Sequence, residues 1–303
     1  MSAIQRERVT IESLDETLQG VLFLPQTAGA APALILTHGA GDNKENYFEF
    51  AEYLGARGIA ALALDLHGHG ESGGCRYYVD MREWVADVRA ALDFLSSHSR
   101  IDRARLAAYG PSSGGTAIIE ASLVDSRIKA LVLQDATVRD SLPKAMSLSM
   151  RFLNLIGTVK RRFTSRDLRL PLAKISGEFP LASDPEVNKR LNERAAEPFN
   201  RFPLPGAAQA FFVDTIERVG SVRAPTLVLW GEDDKLDPPE TGKLLHERLT
   251  CKKALHIIAG NGHAGHMDRH KEKVFALTCE WLLENLTGES RPADGHPMPV
   301  SQR

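Results

Sequence analysis

A serine held on a sharp strand-to-helix turn is where this chain concentrates its chemistry. The run from Arg105 to Gly115 reads as a short apolar strand, a tight turn and the start of a helix, with Gly110-x-Ser112-x-Gly114 at its centre. That is the spacing of a nucleophile elbow. The residues two before and two after the serine must be small, because their Cβ atoms would collide where strand folds back on helix. The helix that follows points its first N–H groups toward the serine, where an oxyanion would form.

An activated serine needs a base, and the base needs an acid to orient it. Carboxylates cluster in Gly231-Glu232-Asp233-Asp234-Lys235-Leu236-Asp237-Pro238, on the loop leaving the apolar strand around Leu227. Asp234 is favoured, three residues after Gly231 as is usual in proteins of this pattern. Asp233 and Asp237 are expected to be solvated or to cap the helix at Pro238, and Glu232 to be exposed. The favoured base is His263, in the glycine-rich loop Ala259-Gly260-Asn261-Gly262-His263 after the last strand, with His266 and His270 as rivals. Spacings of three and seven from His263 also suit a metal-binding helical face. No HExxH accompanies them, so no metal and no cofactor are expected. His256 falls inside a strand and reads as structural.

Two oxyanion donors are expected. One is the N–H of Ser113, directly after the nucleophile. The other is the N–H of Ala40 in His38-Gly39-Ala40-Gly41, the loop after the Leu34–Leu36 strand. His38 is read as supporting that loop. A third glycine-rich loop, Asp65-Leu66-His67-Gly68-His69-Gly70, offers two histidines, too few for a metal, and no GxGxxG that opens a helix. It is read as structural.

These groups need a scaffold. The chain has 303 residues, a net charge of −2 and three widely separated cysteines with no CxxC pair. Such a charge gives no global attraction for nucleic acid, and sparse cysteines suit a reducing compartment. Met1 to Arg8 contains no apolar core of a secretory signal, and no apolar run reaches the ~20 residues of a membrane span. A cytoplasmic protein without an integral membrane segment is the expectation. Strand and helix signals alternate up to Asp135, break off, and resume at Thr226. The expected architecture is α/β, a mostly parallel central sheet flanked by helices and interrupted by a helical cap. The expected division is a core over 1–137 and 219–286, a cap over 138–218 and a mobile tail over 287–303.

On these residues the chain resembles the α/β-hydrolase superfamily across nearly its whole length, and within it the monoacylglycerol lipase and lysophospholipase-like group related to the serine aminopeptidases. The order Ser112, Asp234, His263 is the superfamily's order. Asp65-x-x-Gly68-x-Gly70-x-Ser72 and the cap segment Ser183-Asp184-Pro185-Glu186-Val187 also match the group. The resemblance implies a Ser112–Asp234–His263 triad with Ala40 and Ser113 as oxyanion donors. One departure stands out: Pro111 and Ser113 flank the nucleophile, where those lipases usually carry His and Met.

Within the cap, Ala145 to Phe163 fits an amphipathic helix ending in the basic run Lys160-Arg161-Arg162. Met146, Met150, Phe152 and Phe211 are expected to line an apolar substrate pocket, and the basic end reads as the solvated rim of a cap helix packed on the core, with a peripheral contact with lipid as the alternative. The leading expectation is a carboxylic-ester hydrolase for monoacylglycerol-like or other short- to medium-chain acyl esters. An exopeptidase is the first alternative, with Asp184, Glu193 or Glu197 holding a substrate ammonium. The second is a non-catalytic protein that binds a small molecule in the same pocket.

Overall fold

The computed structural model describes residues 4–27, 29–140 and 144–288. In chain order the first elements are β1 (Gln5–Ser13), β2 (Glu16–Leu24), β3 (Ala31–Leu36), α1 (Phe48–Gly55), β4 (Ala60–Leu64), α2 (Met81–Ser97), β5 (Ile101–Pro111), α3 (Ser112–Val124) and β6 (Ile128–Gln134). The inserted elements are α4 (Lys144–Thr164), β7 (Arg169–Leu170), α5 (Leu172–Ser176), α6 (Pro185–Asn200), β8 (Phe202–Pro203) and α7 (Leu204–Phe211). The chain then returns with β9 (Thr226–Gly231), α8 (Pro239–Arg248), β10 (Lys253–Ile258) and α9 (Lys271–Leu282).

Eight strands form one sheet in the order β1-β2-β4-β3-β5-β6-β9-β10. β1 and β2 pair antiparallel, β2 joins β4 antiparallel, and every pairing from β4 to β10 is parallel. This is the α/β-hydrolase architecture. The inner strands are continuous apolar runs because both of their faces are covered. Ala33 and Ile35 of β3 join the layer beneath α2, α3 and α8, built around Val88, Ile118 and Leu245. Leu34 and Leu36 point the other way, to Phe50 of α1 and Phe275 of α9. A period of two on each strand thus feeds two cores.

Local chemistry sets the helix ends. The Asp80 carboxylate accepts the Arg82 N–H at 2.9 Å and opens α2. Asp184 accepts from Glu186 and Val187 and, with Pro185 in the first turn, opens α6. The α-helical part of α9 ends at Leu282 and continues as a single π-helical turn over Leu283–Thr287. Of the expected tail, residues 289–303 lie outside the described residues. Among the described residues no helix is long and apolar enough to cross a membrane.

Candidate active site

The elbow forms at the junction of β5 and α3. Ser112 has φ +49, a left-handed conformation that is costly for a residue with a Cβ and that exposes its hydroxyl. The glycines around it are obligatory for contact reasons. A Cβ on Gly110 would lie 2.5 Å from the Gly114 carbonyl carbon, and one on Gly114 would lie 2.4 Å from the His38 carbonyl oxygen. The carbonyl ends of β3, β9 and β10 then deliver loops to the same place.

On the β9 loop, Asp234 is buried and accepts the Leu236 and Asp237 N–H groups on Oδ1 at 2.8 and 3.0 Å. Its Oδ2 lies 2.8 Å from His263 Nδ1, so the imidazole is oriented with Nε2 available. Burial opposes the charged form of His263. The carboxylate of Asp234, with Asp237 and Asp135 behind it, outweighs burial and raises the pKa from 6.5 to about 10. The rivals take other places. His266 stacks on Tyr47 at 4.5 Å, and burial lowers its pKa to about 4. His270 sits at the N-terminus of α9.

Ser112 and His263 face a common cavity of about 430 Å³. In this structure the Ser112 hydroxyl lies 3.3 Å from Thr137 Oγ1, and Thr137 Oγ1 donates to Asp237 Oδ2 at 2.7 Å. Neither partner was anticipated. Asp237, expected to be solvated or capping, is instead 5% exposed and forms part of the cavity wall. Thr137 follows the end of β6, where ligand-facing groups of such sheets gather, and that position was the available signal. Asp135, at φ +45, is fully buried and accepts the Gly231 N–H at 2.7 Å, which fastens the loop that carries Asp234. Burial beside Asp234 holds its carboxyl well above the usual carboxylate range.

The two expected oxyanion donors adjoin. Ser113 stands in the first turn of α3, whose leading N–H groups have no helical partner. The Ala40 N–H is directed at the Ser113 hydroxyl, 3.0 Å away. His38 is buried, accepts the Leu66 N–H on Nε2 and therefore donates from Nδ1 to the Gly39 carbonyl at 2.8 Å, which stiffens the loop. Beside it Lys44 is buried against Asp65 and Glu71, at 2.6 and 2.7 Å. His67 is held 2.5 Å from Asp87. The loop of Asp65 thus buttresses the site through its own ion pairs.

The cap side of the cavity is mostly apolar, with Leu172, Leu191, Phe199 and Phe202 joined by Met150 and Phe211, and Glu178 and Arg194 are its charged members. Phe152 is not in the wall. It is 62% exposed on the opposite side of α4, so the structure corrects its assignment to the pocket. The side chain of Met146 lies outside the described residues.

The profile of the serine aminopeptidase S33 family matches residues 29–270. The chain belongs to this hydrolase family. It is 27% identical to the quorum-quenching protein AidA of Acinetobacter baumannii, over 77% of this chain and 80% of that protein. It is 24% identical to a monoacylglycerol lipase of Mycolicibacterium smegmatis, over 84% of this chain and 88% of the lipase. Among solved structures, DcsB in complex with its substrate analogue superposes with a TM-score of 0.81 at 22% identity, covering 94% of this chain and all of DcsB, a likeness of fold.

Proposed function

We propose that this chain is a serine hydrolase that cleaves carboxylic esters of the monoacylglycerol or short- to medium-chain acyl type. The observation that carries the reading is the 2.8 Å Asp234–His263 bond beside an elbow serine at one end of an apolar cavity. His263 Nε2 takes the Ser112 proton as Oγ bonds to the ester carbonyl carbon. The tetrahedral oxyanion faces the Ser113 N–H in the first turn of α3. The C–O bond to the alcohol then breaks, and His263 returns the proton to the leaving oxygen. Water, deprotonated by His263, attacks the acyl-enzyme and releases the acid. Asp234 orients the imidazole throughout. The carboxylates named for an exopeptidase reading, Asp184, Glu193 and Glu197, are not in the cavity wall, whereas Asp42 and Glu178 are, so the ester reading rests on the apolar remainder of the wall.

The exposed side of α4 supports a peripheral contact with an anionic lipid surface. Leu148, Phe152, Leu155, Ile156, Val159 and Phe163 recur at helical spacing and are 42 to 83% exposed. The helix carries Lys144, Arg151, Lys160, Arg161 and Arg162 and no acidic residue. A second copy would set like charges against like. An anionic interface accepts both the stripe and its basic flanks.

The reading is tested with p-nitrophenyl esters from acetate to palmitate on wild type and Ser112→Ala, beside labelling by a fluorophosphonate. Loss of turnover and of labelling in the variant is the expected result. Ester activity unchanged in Ser112→Ala would sink it. Aminoacyl-arylamide turnover above ester turnover would replace it with the peptidase reading.

A further inference from the structure

The residue after the nucleophile is a serine, and its side chain does something a methionine there would not. Ser113 is 1% exposed, yet it borders the cavity next to Gly39, Ala40 and Ser112. Its Oγ accepts the Ala40 N–H at 3.0 Å. A hydroxyl has two lone pairs and one proton. Accepting Ala40 on a lone pair leaves the proton to be donated, and among the described residues Ser113 Oγ donates to no protein acceptor. The approach of the two segments is enforced. A Cβ on Gly39 would stand 3.2 Å from Ser112 Cβ, and Thr37 is tied to the Tyr109 carbonyl by both its N–H and its hydroxyl. The Ala40 N–H, expected to meet the oxyanion directly, is instead committed to Ser113.

We infer that the Ser113 hydroxyl is itself an oxyanion donor, supplied by Ala40 in the relay Ala40 N–H to Ser113 Oγ–H to substrate oxygen. This rests on the ester-hydrolase reading above. No proton is transferred along the relay. Both groups stay neutral and polarise one another as charge grows on the former carbonyl oxygen. Ser113 would thus touch the reacting oxygen twice, through its N–H and through its hydroxyl. Because the charge exists only in and around the tetrahedral state, the hydroxyl acts on turnover and leaves substrate binding almost untouched.

The test compares wild type, Ser113→Ala and Ser112→Ala on p-nitrophenyl butyrate. Melting temperatures establish that each is folded. Inhibition by butylboronic acid, which forms a tetrahedral adduct on an active serine, is read beside inhibition by butyrate. For Ser113→Ala, kcat should fall about tenfold or more with KM within twofold. Boronate affinity should weaken by a matching factor, and butyrate inhibition should stay as it was. Unchanged kcat, kcat rising as Ala40 is freed to serve the oxyanion directly, or kcat and KM changing with equal loss of boronate and butyrate binding would each overturn the inference. Activity that survives in Ser112→Ala would remove the parent reading instead, so the two failures are separable.

Discussion

Ser112 Oγ and Thr137 Oγ1 stand 3.3 Å apart, and the direction of the bond between them is fixed by a third group. Thr137 has one hydroxyl proton, which goes to Asp237. It can therefore only accept from Ser112, and the nucleophile's proton points at Thr137 in this structure. In the proposed mechanism His263 must win that proton when substrate arrives. The Thr137 N–H also donates to the Ser112 carbonyl at 3.1 Å, so the two residues are joined through backbone and side chain. Thr137→Val deletes a donor to the buried Asp237 and should cost about 1–3 kcal/mol of stability in chemical denaturation. Thr137→Ser should cost little. Equal stability of the valine variant would mean that the bond to Asp237 contributes nothing.

A base whose pKa is raised to about 10 is mostly protonated at neutral pH, so kcat/KM should climb through the alkaline range as His263 loses its proton. Asp237→Asn removes one of the charges behind that shift and should move the rising limb to lower pH. The sign for stability is the reverse. A histidine with a folded pKa above its ordinary 6.5 stabilises fully below 6.5, and that contribution fades as pH rises from 6.5 to about 10. A pH–rate profile and a pH series of melting temperatures check the two halves. A flat profile from pH 7 to 10 would contradict the first.

Gly114→Ala places a methyl group 2.4 Å from the His38 carbonyl and 2.8 Å from Thr37 Oγ1. The loop from His38 to Gly41 must retreat, and a displacement near 1 Å typically costs on the order of 100-fold in rate. Turnover should fall by that order, with a lower melting temperature, whereas an alanine at Gly29, where nothing lies within 4 Å, should leave both unchanged.

The lipid contact of α4 is read by flotation with vesicles of phosphatidylglycerol or phosphatidylcholine. Binding to the anionic vesicles, reduced by Leu155→Ser/Phe163→Ser and by Lys160→Glu/Arg162→Glu, is expected. Turnover of soluble butyrate esters should be the same in all three proteins, wild type and the two double variants. Absence of binding, indifference to lipid charge, or a dimer abolished by the same substitutions would refute it.

The sequence made the elbow legible because a Gly-x-Ser-x-Gly turn is local: its sterics lie within five residues. Asp234 and His263 were readable from strand ends and loop glycines. Thr137 and Asp237 were not, because their bond spans 100 positions between two loops, and no period encodes such a meeting. Phe152 shows a different limit. Spacing identifies an apolar stripe on α4, but not which side is covered. Gly157, whose added Cβ would lie 3.2 Å from Leu204, marks the side against α7, leaving Phe152 outward.

The insertion leaves the sheet after β6 and rejoins it at β9, and those two strands are direct neighbours, with Leu131 opposite Thr226. Its two stems are also tied to each other where Ile216 donates to the Val138 carbonyl at 2.9 Å. The sheet therefore does not depend on what lies between them, and lengthening a closed loop costs only about 0.6 kcal/mol per doubling. Such a seam lets the chamber wall be rebuilt without moving Ser112, Asp234 and His263. Under the proposed function, selectivity and reactivity can then be altered by separate substitutions.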